Sequence, residues 1–288
     1  FWAVGYYFVM KRLGFTTLKA QQIITEPAAL QVAQIVLSVL LFTLPYVVIF
    51  KSFGVRIGEL MSFKKPERKI ALPLFFLGTA FCAFANVATS QASRIFENFG
   101  IDYNVDFGED PKGFFGFCLA FISTVIVPAM VEEFALRGIV LGTLRKFGDG
   151  FAILASAILF GLMHGNFEQM PFAFIIGIIL GFVTVKTGSL LVSMAIHGFN
   201  NFISVAFSYF LGSVSQSAQN VIYSLVLMAL MLAGIVSLLF LENQNELFTL
   251  RPSDTESRLS KKMKWFFTSP CIIIFTVFCL LESLQFFM

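Results

Sequence analysis

The feature that most constrains this chain is its succession of long apolar blocks, at roughly 30–50, 70–92, 113–143, 151–164, 171–186, 188–210, 218–241 and 265–287. Apolar stretches of about 18 residues or more with few charges read as helices that cross a bilayer. In hydrocarbon the backbone N–H and C=O groups have no water to bind, so each span must satisfy them internally, as a helix does. The expected fold is all-α, a polytopic transmembrane helix bundle of about eight spans. The fourth and fifth blocks are short, and the third is long enough to project from the membrane or to tilt. Composition points the same way. Hydrophobic residues make up 57% of the 288 residues and charged residues 13%, whereas a soluble domain is about half apolar and about a quarter charged. The lipid bilayer is therefore the first partner. The net charge of +3 is small and sits in a few loops, with no basic patch for nucleic acid.

Residues 1–29 form an N-terminal segment whose placement the sequence leaves open. Phe1 to Met10 is apolar, 11–29 is mixed, and no signal peptide is evident. Residues 30–288 read as a single transmembrane domain, without internal repeats. The four cysteines, Cys82, Cys118, Cys271 and Cys279, each lie inside an apolar block and form no CxxC pair. They read as buried small hydrophobes, not as a disulfide framework or a thiolate zinc site.

Loop charges predict the orientation, because Lys and Arg concentrate on the cytosolic side. The 51–69 loop carries Lys51, Arg56, Lys64, Lys65, Arg68 and Lys69, and the 93–112 loop is acidic. Arg145 and Lys146 mark 144–150, Glu168 is the sole charge of 165–170, and Lys186 marks the 186–188 turn. The 211–217 loop is uncharged, and 242–264 carries Arg251, Arg258, Lys261, Lys262 and Lys264. This strict alternation places 51–69, 144–150, 186–188 and 242–264 in the cytosol, with the protein in the cell membrane.

An ionisable side chain within a span is costly and marks a functional site by default. Those in the interior of the spans, away from their ends, are Glu132, Glu133, Arg137, His164 and His197, with Asn86, Asn200 and Asn201 as uncharged polar neighbours. The chain has only two histidines, and both are in this set. Glu133 and Arg137 are four apart, on one helix face, and can pair. Glu132 lies about 100° around the helix and has no cation four residues on. One carboxylate is then structural and the other faces something else. Phe160 and His164 share a face, as do His197 and Asn201. Counting about 1.5 Å per helical residue from the predicted cytosolic ends brings the three helices' polar groups to similar depth, as a shared water-filled cavity requires. The chemistry suits hydrolysis. A carboxylate in a dehydrated cavity is a useful general base near neutral pH, and a histidine can share its water and pass the proton to the leaving amine. A second histidine with an Asn carboxamide can donate to a developing oxyanion. Alternatively, two histidines and a glutamate could hold a zinc ion that activates the water. Gly177-x-x-x-Gly181 reads as a close helix contact, and Asp149, between Gly148 and Gly150, as a turn residue.

Glu132-Glu133-Phe134-Ala135-Leu136-Arg137 matches EExxxR, Phe160 to His164 matches FxxxH, and His197 to Asn201 matches HxxxN. In this order, the three motifs resemble the CAAX protease and bacteriocin-processing family, also called Abi, which includes the Rce-type prenyl-protein endopeptidases. The resemblance covers about residues 113–208, the expected catalytic core. It implies an eight-helix intramembrane endopeptidase acting on a membrane-associated or lipidated peptide or protein. It assigns water activation to Glu132 and His164, the oxyanion hole to His197 and Asn201, and support to Glu133 and Arg137, with Phe160 beside them; Asn200 could stand in for Asn201. A glutamate mechanism without a cofactor is preferred to a zinc mechanism, because HExxH is absent. The chain has several features of a bacterial relative, for which a peptide pheromone, bacteriocin or membrane protein suits better as substrate than a prenylated protein. The alternatives are a non-catalytic membrane scaffold or immunity protein and an ion-coupled carrier.

Overall fold

A computed structural model describes residues 27–52, 54, 57–98, 112–242, 249–252 and 257–284. Residues 1–26, the carboxylates expected in the 93–112 loop at 102, 106, 109 and 110, and parts of the 242–264 loop lie outside the described residues.

The described chain is helical, and every apolar block carries a helix. We number them α1 (Pro27–Ser52), α2 (Ile57–Leu60), α3 (Arg68–Asn98), α4 (Gly113–Phe147), α5 (Asp149–Leu162), α6 (Gln169–Thr187), α7 (Leu190–Leu211), α8 (Gln216–Glu242), α9 (Leu259–Phe267) and α10 (Pro270–Leu284). Six of them, α1, α3, α4, α6, α7 and α8, are long and apolar enough to cross a membrane. The last block is split into α9 and α10, bent by 74° at the break, and together they make up to one further span. The remaining block, α5, is 14 residues long. The chain is thus a multi-pass helical membrane protein, and its spans fit the expected number roughly.

Large side chains outside the core face outward, as lipid-facing residues do. Leu232, Ile235, Val236 and Leu239 of α8 are all more than half exposed. Between helices, where lipid tails are as apolar as leucine, close approach depends on small residues. A Cβ on Gly177 of α6 would stand 2.8 Å from the Cα of Ala157 in α5, and one on Gly181 would crowd Ile153 and Leu141. The Gly177/Gly181 stripe is therefore the close contact expected of it. Gly234 of α8 meets Ala80 of α3 in the same way, and Gly78 of α3 meets Ile196 of α7. These contacts gather α3, α6, α7 and α8 around one apolar cluster that includes Leu74, Ile176, Leu180, Ile196 and Leu241.

The helix α4 is not uniformly α-helical. It runs as α-helix over Gly113–Ala120, widens to π-helical turns over Phe121–Ile126, returns to α-helix over Val127–Glu133 and widens again over Phe134–Leu141. The first widening has a cause in the sequence. Pro128 has no N–H to give to the carbonyl of Thr124, and its ring crowds that carbonyl. The second is supported from outside, because the Ser156 hydroxyl of α5 donates to the carbonyl of Leu136 at 3.0 Å. Such π turns inside α-helices occur often at functional sites.

Candidate intramembrane active site

The α-helical turn between the two widenings ends on Glu132 and Glu133. Their environments differ. The Glu133 side chain is fully buried, while Glu132 keeps 16% of its side chain exposed. Arg137, also fully buried, donates from Nη1 to Glu133 Oε1 at 2.9 Å. Its Nη2 lies 3.5 Å from the carbonyl oxygen of Gly177. Its guanidinium is 4.1 Å above the centroid of the Phe160 ring, close enough for the ring's negative face to attract the charge. A buried charge is tolerated when it is paired and hydrogen-bonded, and Arg137 takes its partners from α4, α5 and α6.

Glu133 has a second neighbour. His197 of α7 sets Nδ1 at 3.1 Å from Glu133 Oε1, the same oxygen that accepts from Arg137. The other ring nitrogen, Nε2, lies 3.8 Å from Glu132 Oε2. The imidazole thus stands between the two carboxylates. With Nδ1–H donated to Glu133, Nε2 is the nitrogen turned toward Glu132 and the accessible side. The buried Ser193 hydroxyl, one helical turn before His197, lies beside Glu133 as well.

His164 sits just past the end of α5, where the chain turns. Its Nδ1 is 2.7 Å from the carbonyl oxygen of Phe160, so Nδ1 carries the proton and Nε2 presents a lone pair. The Phe160 ring packs edge-on against both histidines, with centroids 5.0 Å from His164 and 5.8 Å from His197. Phe160 is in this way the central spacer of the cluster, touching Arg137 on one side and both imidazoles on the other. Glu132 and His164 are not joined by a hydrogen bond or ion pair.

The 14 residues of α5 rise about 21 Å, less than the roughly 30 Å of a hydrocarbon core. Started at a membrane surface, α5 would carry the His164 turn to a point within the membrane's thickness. Non-helical backbone is tolerated at that depth only when it is buried in protein or lines a wet cavity. Asn166 organises this turn. Buried, it donates from Nδ2 to the carbonyl of His164 at 2.9 Å, and its Oδ1 accepts from the N–H of Gln169 at 2.8 Å.

Asn201 lies one turn after His197 on α7. Its Nδ2 donates to the Thr124 carbonyl at 2.9 Å, the acceptor that Pro128 leaves without its usual α-helical partner. Asn200 points elsewhere. It accepts from Asn86 of α3 at 3.1 Å and borders a cleft between α3, α7 and α8 with Thr79, Cys82 and Tyr223.

The structure thus gathers Glu132, Glu133, Arg137, Phe160, His164 and His197 into one cluster, with Asn201 on the next turn against the same helix α4. Sequence reasoning did not include Asn166, Ser193 or the π turns. Of these, only the π turn at Thr124 carried a visible signal, a proline within an apolar span. As for zinc, no three His, Cys, Asp or Glu side chains among the described residues converge in a way that could hold an ion. Arg137 and His197 both engage Oε1 of Glu133, while its buried Oε2 has no hydrogen-bond partner.

Fold and site together define a class: a polytopic helical membrane protein in which a glutamate pair and two histidines meet between the helices. Residues 114–203 match the sequence model of the Rce1-like type II CAAX prenyl endopeptidases. That segment contains all three motifs, agrees with the resemblance they carry, and supports a protease function. Neither a curated protein nor a solved structure is significantly similar to the chain.

Proposed function

We propose that this protein is an intramembrane endopeptidase that hydrolyses a peptide bond of a membrane-associated or lipidated peptide or protein, with its catalytic core at 113–208. Glu132 is the general base. It is the more accessible carboxylate of the pair, and it is spared the ion pair that occupies Glu133. A water reaching both Glu132 and the Nε2 of His164 loses a proton as its oxygen attacks the scissile carbonyl. The proton passes to the amine as the C–N bond breaks. His197, carrying a proton on Nε2 as well as the one that Nδ1 gives to Glu133, and Asn201 donate to the oxyanion that develops on the carbonyl oxygen. Glu133 and Arg137 hold His197 and Phe160 in place. No metal takes part.

The observation that carries this reading is the position of the His197 ring, with Nδ1 on Glu133 and Nε2 facing Glu132, beside His164 across Phe160. A structural ion pair alone needs neither histidine. The test is cleavage of a panel of hydrophobic and farnesylated peptides by the purified protein, with products identified by mass spectrometry, alongside Glu132→Gln. Product from the wild type alone is expected. None from either would favour a non-catalytic membrane scaffold, and equal product from both would remove Glu132 from the role of general base.

A further inference from the structure

The carboxamides of α3 and α7 form a directed chain that ends beside the site. Thr124 presents a backbone carbonyl, which can only accept. Asn201 must therefore turn Nδ2 toward it, at 2.9 Å, and its Oδ1 then faces Asn200. Asn200 donates to that oxygen from Nδ2 at 3.3 Å, which leaves its own Oδ1 facing Asn86. Asn86 donates to that oxygen at 3.1 Å. Each amide's orientation is dictated by the one before it, and the order starts at the carbonyl that Pro128 leaves without its α-helical partner. A flipped Asn201 would set oxygen against oxygen at Thr124 and N–H against N–H at Asn200.

We infer that Asn86 is a positioning residue for Asn201, acting through Asn200. This rests on the reading of the site as a hydrolase whose oxyanion is met by His197 and Asn201. One N–H of the Asn201 carboxamide is spent on Thr124, and the second is the donor available to substrate. Its direction is set by both ends of the carboxamide being held at once. Asn86 closes the chain: without it the Asn200 oxygen has no donor, Asn200 is free to rotate into the cleft beside Thr79 and Tyr223, and Asn201 loses its second restraint. Asn201 takes the role in preference to Asn200 because it lies against α4, whereas Asn200 faces Asn86 and the cleft between α3, α7 and α8.

The experiment is steady-state cleavage of a peptide from the panel above by the full chain carrying Asn86→Leu, Asn86→Ser, Asn201→Ala, or Asn86→Leu with Asn201→Ala. Leucine matches asparagine in size without the donor, and serine restores a donor. Asn86→Leu is expected to lower kcat by about ten- to a hundredfold with KM nearly unchanged, since the lost interaction acts in the transition state. Asn86→Ser should recover part of that loss. In the double variant Asn86→Leu should add nothing to Asn201→Ala, because the chain acts only through Asn201. Wild-type kcat in Asn86→Leu, or effects that multiply in the double variant, would overturn the inference. If Asn86→Leu does not yield folded protein, Asn86→Ser and its double variant with Asn201→Ala decide by the same comparison. Failure of the underlying reading shows separately, as no product from either the wild type or Glu132→Gln, and takes the inference with it.

Discussion

At the scale of single residues, two adjacent glutamates in one helical turn have different surroundings. Glu133 is sealed between Arg137, His197 and Ser193, and its loss would leave a guanidinium buried without its counter-charge. Removing one partner of a buried pair costs about 3–5 kcal/mol. Glu133→Gln is therefore expected to lower the thermal midpoint or the yield of folded protein in detergent. Glu132→Gln should keep both near wild type while losing about 10²–10⁴-fold in cleavage rate, the range of general acid–base catalysis. Thermal unfolding and peptide cleavage on the same two preparations separate the roles. An unstable Glu132→Gln beside a stable Glu133→Gln would reverse them.

At the scale of elements, the site depends on how closely α5 and α6 approach. Gly177 permits that approach by lacking a Cβ, and its carbonyl lies within reach of Arg137. Gly177→Ala would push the added methyl into the Ala157 backbone. Overpacking of this kind costs about 1–3 kcal/mol, so the variant should unfold at lower temperature and cleave more slowly, and Gly177→Leu should not yield folded protein. At the other end of α5, Asp149 serves as more than a turn residue. Its Oδ1 accepts from Arg145 Nε at 2.8 Å, and its Oδ2 accepts from the backbone N–H of Arg251 at 3.1 Å. Lys262 of α9 donates to the Phe147 carbonyl at 2.8 Å in the same turn. These bonds fasten the 249–252 segment and α9 to the end of the motif-bearing helix. Asp149→Ala removes two of them, each worth about 0.5–1.5 kcal/mol. Limited proteolysis should then cut near Arg251 and Arg258 faster than in the wild type, and an unchanged rate would show that the clamp does not hold this segment.

At the scale of the whole molecule, the alternating loop charges make a topological prediction. Single cysteines replacing Lys146 and Lys186, in a background without the native cysteines, should react with a membrane-impermeant maleimide from the cytosolic side. A cysteine at Ser213 should react from the opposite side. Labelling of Lys146→Cys and Ser213→Cys from one side would contradict the proposed orientation. The placement of α5 bears on the same question. A helix that stops short of crossing, followed by a polar turn with Asn166 and His164, creates the kind of interior that water can enter while the surrounding helices remain against lipid.

What the sequence determined by itself was the class, the three helices that bring polar groups together, and the pairing of Glu133 with Arg137. Each follows from local physics. Hydropathy and length decide membrane insertion, the cost of burying charge marks the site, and 3.6-residue periodicity places residues i and i+4 on one face. Tertiary structure alone decided that His197 stands between both glutamates, that Arg137 lies over Phe160 and reaches Gly177, that His164 sits beyond a helix end, and that Asn86 connects to Asn201. Those contacts join different helices. Their distances depend on crossing angles and registers set by Gly177 against Ala157, Gly78 against Ile196 and the widened turns of α4, and hydropathy carries no information about any of these.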